Sequence, residues 1–196
     1  MAVHAAILSV DCCDGRMSRC GNGYGGAFGD GWNRCKCPGL TKGQPAVRVY
    51  SLSSPGPRVS ESVIQDVVTM LRGGFGIGSV RLITHSDCGA SKLECGLPVD
   101  RALEADEAAK VEARTEARRD EAVALLLAND SFVASLQDGK RPFRVGHWSI
   151  AEQMVVWLLE FDHASGTMKP VPADRARIEC DSPSVDATVE GEHVAH

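Results

Sequence analysis

The sequence has no excess of positive charge, no long apolar run and no leader-like start, and each absence excludes a class of protein. Its 196 residues include 21 lysines and arginines against 26 acidic residues, a net charge of −5. This balance argues against a nucleic-acid-binding surface, because such a surface is basic. No stretch approaches the roughly 20 apolar residues that cross a bilayer. The first apolar run spans only about seven residues without a basic segment before it, so we expect no signal peptide and no membrane partner.

The chain also lacks internal repeats and any boundary between two domains. Its hydrophobic fraction of 43% and charged fraction of 24% are ordinary for a globular protein. We therefore predict one α/β domain over residues 1–172 and a flexible polar tail over 173–196. Within the domain, residues 19–45 form a glycine- and cysteine-rich insertion without periodicity. We predict that this insertion shapes access to the functional site.

Four apolar runs are typical of buried strands, and they cover residues 3–10, 46–52, 79–85 and 153–161. A helix is expected between the second and third runs, because apolar residues recur there at helical spacing. Ser60 or Ser62 can cap its start, and Gly73 ends it. Strand, helix and strand in this order imply a right-handed crossover and parallel pairing. The sequence thus predicts a mainly parallel sheet of four to five strands flanked by helices.

The second half of the chain is less regular. Residues 100–138 are predicted to be helical throughout, and we interpret their Ala-, Glu- and Arg-rich first half as a solvated face. The apolar residues 123–128 should pack on the body of the domain. Residues 141–150 are ambiguous and could add a strand, and residues 162–171 predict a short hairpin partner for the strand at 153–161. That strand is too apolar for a free edge, which favours an assembly of subunits.

Eight cysteines are a high count for this length, and two motifs place some of them at strand ends. The first strand runs into Cys12-x-Asp14-x-Arg16, and the third into His85-x-x-Cys88. Because parallel strands end at the same edge of a sheet, these side chains should converge. Two thiolates and an imidazole suit zinc, and three protein ligands leave one tetrahedral position open for catalysis. Metal binding or catalysis therefore explains the cysteines better than a disulfide framework does.

The pair C-x-D-x-R and H-x-x-C-G resembles the zinc motifs of the β-class carbonic anhydrases, and residues 155–171 are similar to the last strand and turn of that family. The resemblance implies zinc held by Cys12, His85 and Cys88, and reversible hydration of carbon dioxide to bicarbonate and a proton by zinc-bound hydroxide. It implies that Asp14 accepts a hydrogen bond from the hydroxide while Arg16 holds Asp14 in place. It also implies a homodimer or larger assembly. We expect the protein in the cytoplasm.

The sequence departs from the family pattern in three places. Only eleven residues precede Cys12, where the family has a helical arm. The family's Arg-Asn-Ala-Gly stretch is replaced by SLSSPGPR, in which Gly56 alone is retained. The insertion at 19–45 has no counterpart in the family pattern.

Several alternatives stay open at this point. The same ligands could serve a hydrolase of carbon disulfide or carbonyl sulfide, or a non-catalytic zinc- or bicarbonate-binding relative. Cys13 alternates to the other face of its strand, which favours a packed thiol. The insertion also contains Cys20, Cys35 and Cys37. These cysteines either are free thiols or hold a second, structural zinc, with or without Cys95 as a further ligand.

Overall fold

The computed structural model describes residues 6–12, 49–56, 58–149, 151–152 and 154–179. They form seven strands and five helices. In chain order they are β1 (Ala6–Cys12), β2 (Val49–Ser54), α1 (Glu61–Arg72), β3 (Ile77–His85), α2 (Gly89–Glu94), α3 (Ala105–Leu127), α4 (Asp130–Asp138), β4 (Phe143–Ser149), β5 (Met154–Asp162), β6 (Thr167–Pro170), α5 (Ala173–Ala176) and β7 (Arg177–Glu179).

A single mixed sheet holds these strands, in the order β2-β1-β3-β4-β5-β6, with β7 also paired to β5. The first four strands in this order are parallel, and β5 to β7 pair antiparallel. The predicted α/β class is confirmed, but the count of four to five strands was wrong because the described sheet has seven. The ambiguous segment 141–150 contains β4, and β7 is only three residues long. A strand of that length is too short to show a period of two.

The apolar strand β5 lies inside the sheet. It pairs with β4 on one side, and with β6 and β7 along different parts of its other side. Its apolar character therefore has an explanation within the chain, since both of its edges are occupied. The argument that this strand needs a partner subunit to cover a free edge was wrong.

Helix α1 follows its sequence signals closely. The Ser60 side chain accepts a hydrogen bond from the backbone N–H of Val63 at 3.4 Å and caps the helix, and Gly73 follows its last residue. Its buried face is formed by residues at helical spacing, Ile64, Val67, Val68 and Leu71. The prediction of this helix, of its cap and of its end is confirmed.

The predicted helix over 100–138 is divided in two. Helix α3 ends at Leu127, and Asn129 caps α4 by accepting a hydrogen bond from the backbone N–H of Phe132 at 3.0 Å. Asparagine is a favoured cap residue because its side chain replaces a missing backbone acceptor. The solvated face predicted for the first half has an exception, because Arg118 is only 4% exposed.

The main core joins α1, α3 and α4 to one face of the sheet. Alternate residues of the central strands, among them Leu8, Val10, Leu82 and Val145, are buried there. A smaller apolar cluster surrounds the carboxyl ends of β1 and β3 and is formed by Cys12, Ile83, Cys88, Trp148, Val155 and Trp157. The two thiols are therefore buried among apolar side chains, at the sheet edge where ligands are expected.

Parts of the predicted organisation lie outside the described residues. These parts are the insertion at 19–45, Cys13, and residues 180–196 of the predicted tail. The first residues of that tail, 173–179, form α5 and β7. Among the helices that the structure describes, none combines the length and the apolar composition that a membrane crossing requires.

Candidate metal centre

Three predicted ligand side chains meet at one edge of the sheet. Cys12 is the last residue of β1, His85 is the last residue of the neighbouring strand β3, and Cys88 directly precedes α2. One ligand atom from each lies within 4.8 Å of the others. All three residues are buried, with exposures of 4%, 0% and 1%. The topology therefore produces the convergence that the two sequence motifs predict.

The spacing of the donor atoms fits a zinc ion. The Sγ atoms of Cys12 and Cys88 are 4.0 Å apart. Two thiolates bound to tetrahedral zinc at about 2.3 Å would be about 3.8 Å apart. Two sulfurs and one imidazole nitrogen form a donor set typical of zinc, and the observed Sγ–Sγ distance is within about 0.2 Å of the tetrahedral value. The residues present therefore fit the metal that the resemblance implies.

The orientation of the His85 ring is fixed by its backbone. Nδ1 lies 2.8 Å from the carbonyl oxygen of Ser86. Because a carbonyl oxygen only accepts, Nδ1 carries the proton and donates it, and the lone pair of the ring is on Nε2. A metal-binding histidine usually donates its other ring N–H to such an acceptor. His85 thus has the tautomer that a metal ligand needs.

The thiol of Cys88 is poised to ionise. A hydrogen bond from Cys12 is the largest cause that holds the pKa of Cys88 far below its ordinary value of 9.0, and the His85 ring and the backbone of Ser91 act in the same direction. Burial opposes this shift but is outweighed. Metals bind the thiolate form, so a lowered pKa lets the metal enter with less competition from protons.

Cys12 receives a hydrogen bond from the loop that follows β2. The backbone N–H of Gly56 donates to Cys12 Sγ at 3.2 Å. Gly56 has φ +60°, and a Cβ at this position would collide with Nη1 of Arg118 and lie 3.2 Å from Cβ of Ala90. Glycine is therefore favoured over other residues at position 56 for two independent reasons, the backbone conformation and the limited space.

A buried lysine braces the turn between the ligands His85 and Cys88. Asp87 adopts a left-handed conformation with φ 55°, which is unfavourable for a residue with a side chain. Its carboxylate lies 2.7 Å from Nζ of Lys92, which is only 2% exposed. The same Nζ donates to the carbonyl oxygen of Arg101 at 3.1 Å. These bonds stabilise a strained turn in which two candidate ligands are only three residues apart.

A histidine and a glutamate form a second polar pair beside the site. His147 Nε2 lies 3.3 Å from Glu112 Oε1, and its Nδ1 lies 3.0 Å from Thr84 Oγ1. Burial, followed by the nearby charges of His85 and Arg119, lowers the pKa of His147 to about 4. Burial also raises the pKa of Glu112. At neutral pH His147 is therefore uncharged, and its contact with Glu112 is a hydrogen bond.

A cavity of about 550 Å³ is lined by Glu112 of this pair and by residues of the ligand turn. Its walls include Glu112 and Leu103 on one side and Ser86 and Asp87 on the other. Ser86 and Asp87 connect His85 to Cys88, so the cavity reaches the ligand turn, but none of the three candidate ligands lines it.

Comparison with solved structures finds β-carbonic anhydrases at low sequence identity. A tetrameric β-carbonic anhydrase of the filamentous ascomycete Sordaria macrospora is 14% identical, with a TM-score of 0.57 over 80% of this chain and 82% of that chain. The β-carbonic anhydrase CafA of Aspergillus fumigatus is 13% identical, with a TM-score of 0.56 over 79% and 76%. A Coccomyxa β-carbonic anhydrase in complex with acetazolamide is 14% identical, with a TM-score of 0.53 over 81% and 74%.

The chain has the β-carbonic anhydrase fold. No family model and no curated protein matches the sequence. The resemblance drawn from two short motifs is thus confirmed at the level of the fold. The β-carbonic anhydrase fold brings together Cys12, His85 and Cys88, whereas the predicted dyad, Asp14 and Arg16, lies outside the described residues.

Sequence reasoning missed the polar residues that support the site in this β-carbonic anhydrase fold. They are Asp87, Lys92, Glu94, Glu112, Arg118 and His147. Asp87 had a signal, because it lies inside the H-x-x-C motif. Arg118 had none, because it stands in a stretch of alternating charges that reads as solvent-exposed.

Proposed function

We propose that the protein is a carbonic anhydrase that binds one zinc ion through Cys12, His85 and Cys88 and reversibly hydrates carbon dioxide to bicarbonate and a proton. One observation carries the proposal. Two thiols and an imidazole converge, buried, at the carboxyl ends of adjacent parallel strands in a β-carbonic anhydrase fold. A purely structural zinc would take four protein ligands, whereas three leave a position open for chemistry.

The chemistry follows from the donor set. A zinc ion held by Cys12, His85 and Cys88 would lower the pKa of a bound water to about 7 and would so supply hydroxide for attack on carbon dioxide at neutral pH. The chain's own part is to hold three donors in one geometry. The bond from His85 to Ser86 fixes the imidazole, and the N–H of Gly56 stabilises the negative charge on Cys12.

Asp14 and Arg16 are proposed to orient the attack. Asp14 is two residues beyond Cys12, so its carboxylate can accept a hydrogen bond from the attacking water and aim the lone pair of that water at the carbon. Arg16 would hold the carboxylate with two parallel N–H bonds and keep it from becoming a fourth ligand. These assignments rest on the C-x-D-x-R motif, because both residues lie outside the described structure.

We also propose a homodimer or larger assembly in the cytoplasm. The support for an assembly is the described tetrameric state of the Sordaria macrospora protein with the same fold. The support for the compartment is the need to keep the ligand cysteines reduced, since oxidised thiols cannot bind zinc.

The test is a stopped-flow assay of carbon dioxide hydration by the zinc-loaded protein. We expect hydration well above the buffer rate, lost in Cys12→Ser and retained in Cys95→Ser, whose thiol lies outside the ligand cluster. Carbon disulfide and carbonyl sulfide serve as comparison substrates. Hydrolysis of these two with no hydration of carbon dioxide would overturn the proposed substrate, and no turnover of any of them would overturn the proposed enzyme.

A further inference from the structure

A network of backbone and side-chain contacts joins the two candidate cysteine ligands by a route that does not pass through the metal. It begins at Cys12, whose sulfur accepts the N–H of Gly56 at 3.2 Å. This N–H belongs to the loop after β2, so a shift of the loop by a few tenths of an ångström would lengthen the bond. What holds the loop therefore also holds the sulfur.

Arg118 of α3 holds this loop. Its Nη1 donates to the carbonyl oxygen of Pro55 at 3.2 Å, and its guanidinium fills the space above Gly56 that a Cβ would need. Arg118 is only 4% exposed, so the contact is not weakened by competing water. Glycine at position 56 leaves room for the guanidinium, and the guanidinium occupies the space that a larger side chain at this position would need.

Glu94 binds the other edge of the Arg118 guanidinium. Its carboxylate accepts Nε of Arg118 at 2.8 Å and also pairs with Nη2, a two-pronged contact. Arg58 and Arg114 bind the same carboxylate at 2.8 and 2.5 Å. Together these contacts hold the pKa of Glu94 near 2, well below its ordinary 4.5, with Arg118 as the largest cause. Glu94 therefore ties Arg118, and with it the loop after β2, to its own helix.

Glu94 is also the last residue of α2, the short helix that begins directly after Cys88. The helix is locked to Cys88 by the bond from the Lys92 N–H to the Cys88 carbonyl oxygen at 2.9 Å. A rigid single element thus connects the carboxylate of Glu94 to the second thiol.

We propose that Arg118 and Glu94 are positioning residues of the metal site, which set the placement of the Cys12 and Cys88 sulfurs through the Gly56 loop and through α2. The inference rests on the proposed function, because it presupposes that these two sulfurs hold zinc. It assigns a role in metal affinity and geometry to two residues that do not touch the metal. Partners of metal ligands typically change metal affinity about 10- to 100-fold when they are lost.

The test compares Arg118→Lys with Arg101→Lys. Lysine keeps the charge but replaces a planar two-pronged donor by a single point. Arg101 is the control because its guanidinium also grips a glutamate with two bonds, to Glu107 in the first turn of α3 at 2.7 and 2.6 Å. Only the backbone carbonyl of Arg101, which the substitution keeps, contacts Lys92. Zinc affinity is measured by competition with a chelator, and the visible spectrum is recorded with Co²⁺ in place of zinc.

We expect Arg118→Lys to bind zinc about 10- to 100-fold more weakly and to shift the Co²⁺ absorption bands at saturation. Arg101→Lys should match the parent in both measurements. The spectrum separates positioning from mere stability, because it is recorded on folded, saturated protein and responds to ligand geometry. If Arg118→Lys does not fold, Glu94→Gln, with Glu107→Gln as its control, takes its place.

Parent-like zinc affinity and a parent-like Co²⁺ spectrum in the Arg118 or Glu94 variant would overturn the positioning role. The same changes in the control variant would also overturn it, because they would show a general effect of weakening α3. A parent protein that binds no zinc would overturn the proposed function and this inference with it, and that failure is seen before any variant is made.

Discussion

The Sγ atoms of Cys12 and Cys88 lie 4.0 Å apart although 76 positions separate the two residues in the chain. The contact is made by topology, because β1 and β3 are parallel neighbours and both end at the same edge of the sheet. Two buried thiols at this distance, with the His85 ring beside them, form an arrangement that a metal ion would complete.

Loss of one thiolate should release the metal. Cys88→Ser replaces a soft sulfur donor by a hydroxyl that stays protonated at neutral pH, so zinc affinity should fall by more than the about 10- to 100-fold typical of outer partners. Cys95→Ser, seven residues further along, is the matched control and should keep one zinc per chain. Metal analysis after dialysis measures both. Full zinc content in Cys88→Ser would remove this residue from the ligand set.

Arg16 should control activity without controlling metal content. Arg16→Ala frees Asp14 to compete for the open zinc position, so carbon dioxide hydration should be abolished while zinc is retained. Arg16→Lys should recover little, because an ammonium group offers a point charge in place of a two-pronged donor. Hydration rates and zinc content are measured on the same samples. Near-normal hydration by Arg16→Ala would mean that the dyad is an ordinary ion pair.

The contact between Asp87 and Lys92 should be asymmetric in its effect on stability. Asp87→Asn keeps a residue type that tolerates positive φ, but it leaves the buried charge of Lys92 without its carboxylate, at a cost of about 1–3 kcal/mol. Lys92→Met should cost less, because Asp87 is 38% exposed and water can solvate it. Urea unfolding of the metal-free proteins gives both values. A larger loss in Lys92→Met than in Asp87→Asn would contradict this assignment.

Glu94 should stabilise the fold in a pH-dependent manner. Its pKa is lowered from 4.5 to about 2 by its arginine partners, so its contribution is complete above pH 4.5 and is lost as the pH falls through about 2. At pH 7 Glu94→Gln should reduce the unfolding free energy by about 1.5–3 kcal/mol, the range for hydrogen bonds to charged groups. The difference from the parent should shrink below pH 4.5. Unfolding of metal-free protein at several pH values tests this, and a difference that grows as the pH falls would contradict it.

The sequence predicted the elements that carry the ligands because each had a local signal. The apolar runs before Cys12 and His85 mark buried strands, and the capping serine and terminal glycine mark α1. Residues such as Arg118 could not be predicted in the same way, because burial depends on how α3 packs on the rest of the fold. A charged residue in a charged stretch looks solvated until a partner such as Glu94 is brought to it by another element.

The count of strands shows the same limit. Strand β7 has three residues, and Arg144 and His147 interrupt the apolar residues of β4, so neither is the continuous apolar run expected of a buried strand. Their place in the sheet is set by pairing with neighbours far along the chain. The apolar β5 suggested a subunit contact for the same reason, because the strands that cover its edges were not recognised.

X-ray absorption at the zinc edge of the parent protein, loaded with one equivalent of zinc, tests the central claim most directly. We expect two sulfur neighbours at about 2.3 Å, one imidazole nitrogen at about 2.0–2.1 Å and one further light donor. Zinc surrounded by oxygen and nitrogen alone, or by four sulfurs, would contradict a site built from Cys12, His85 and Cys88.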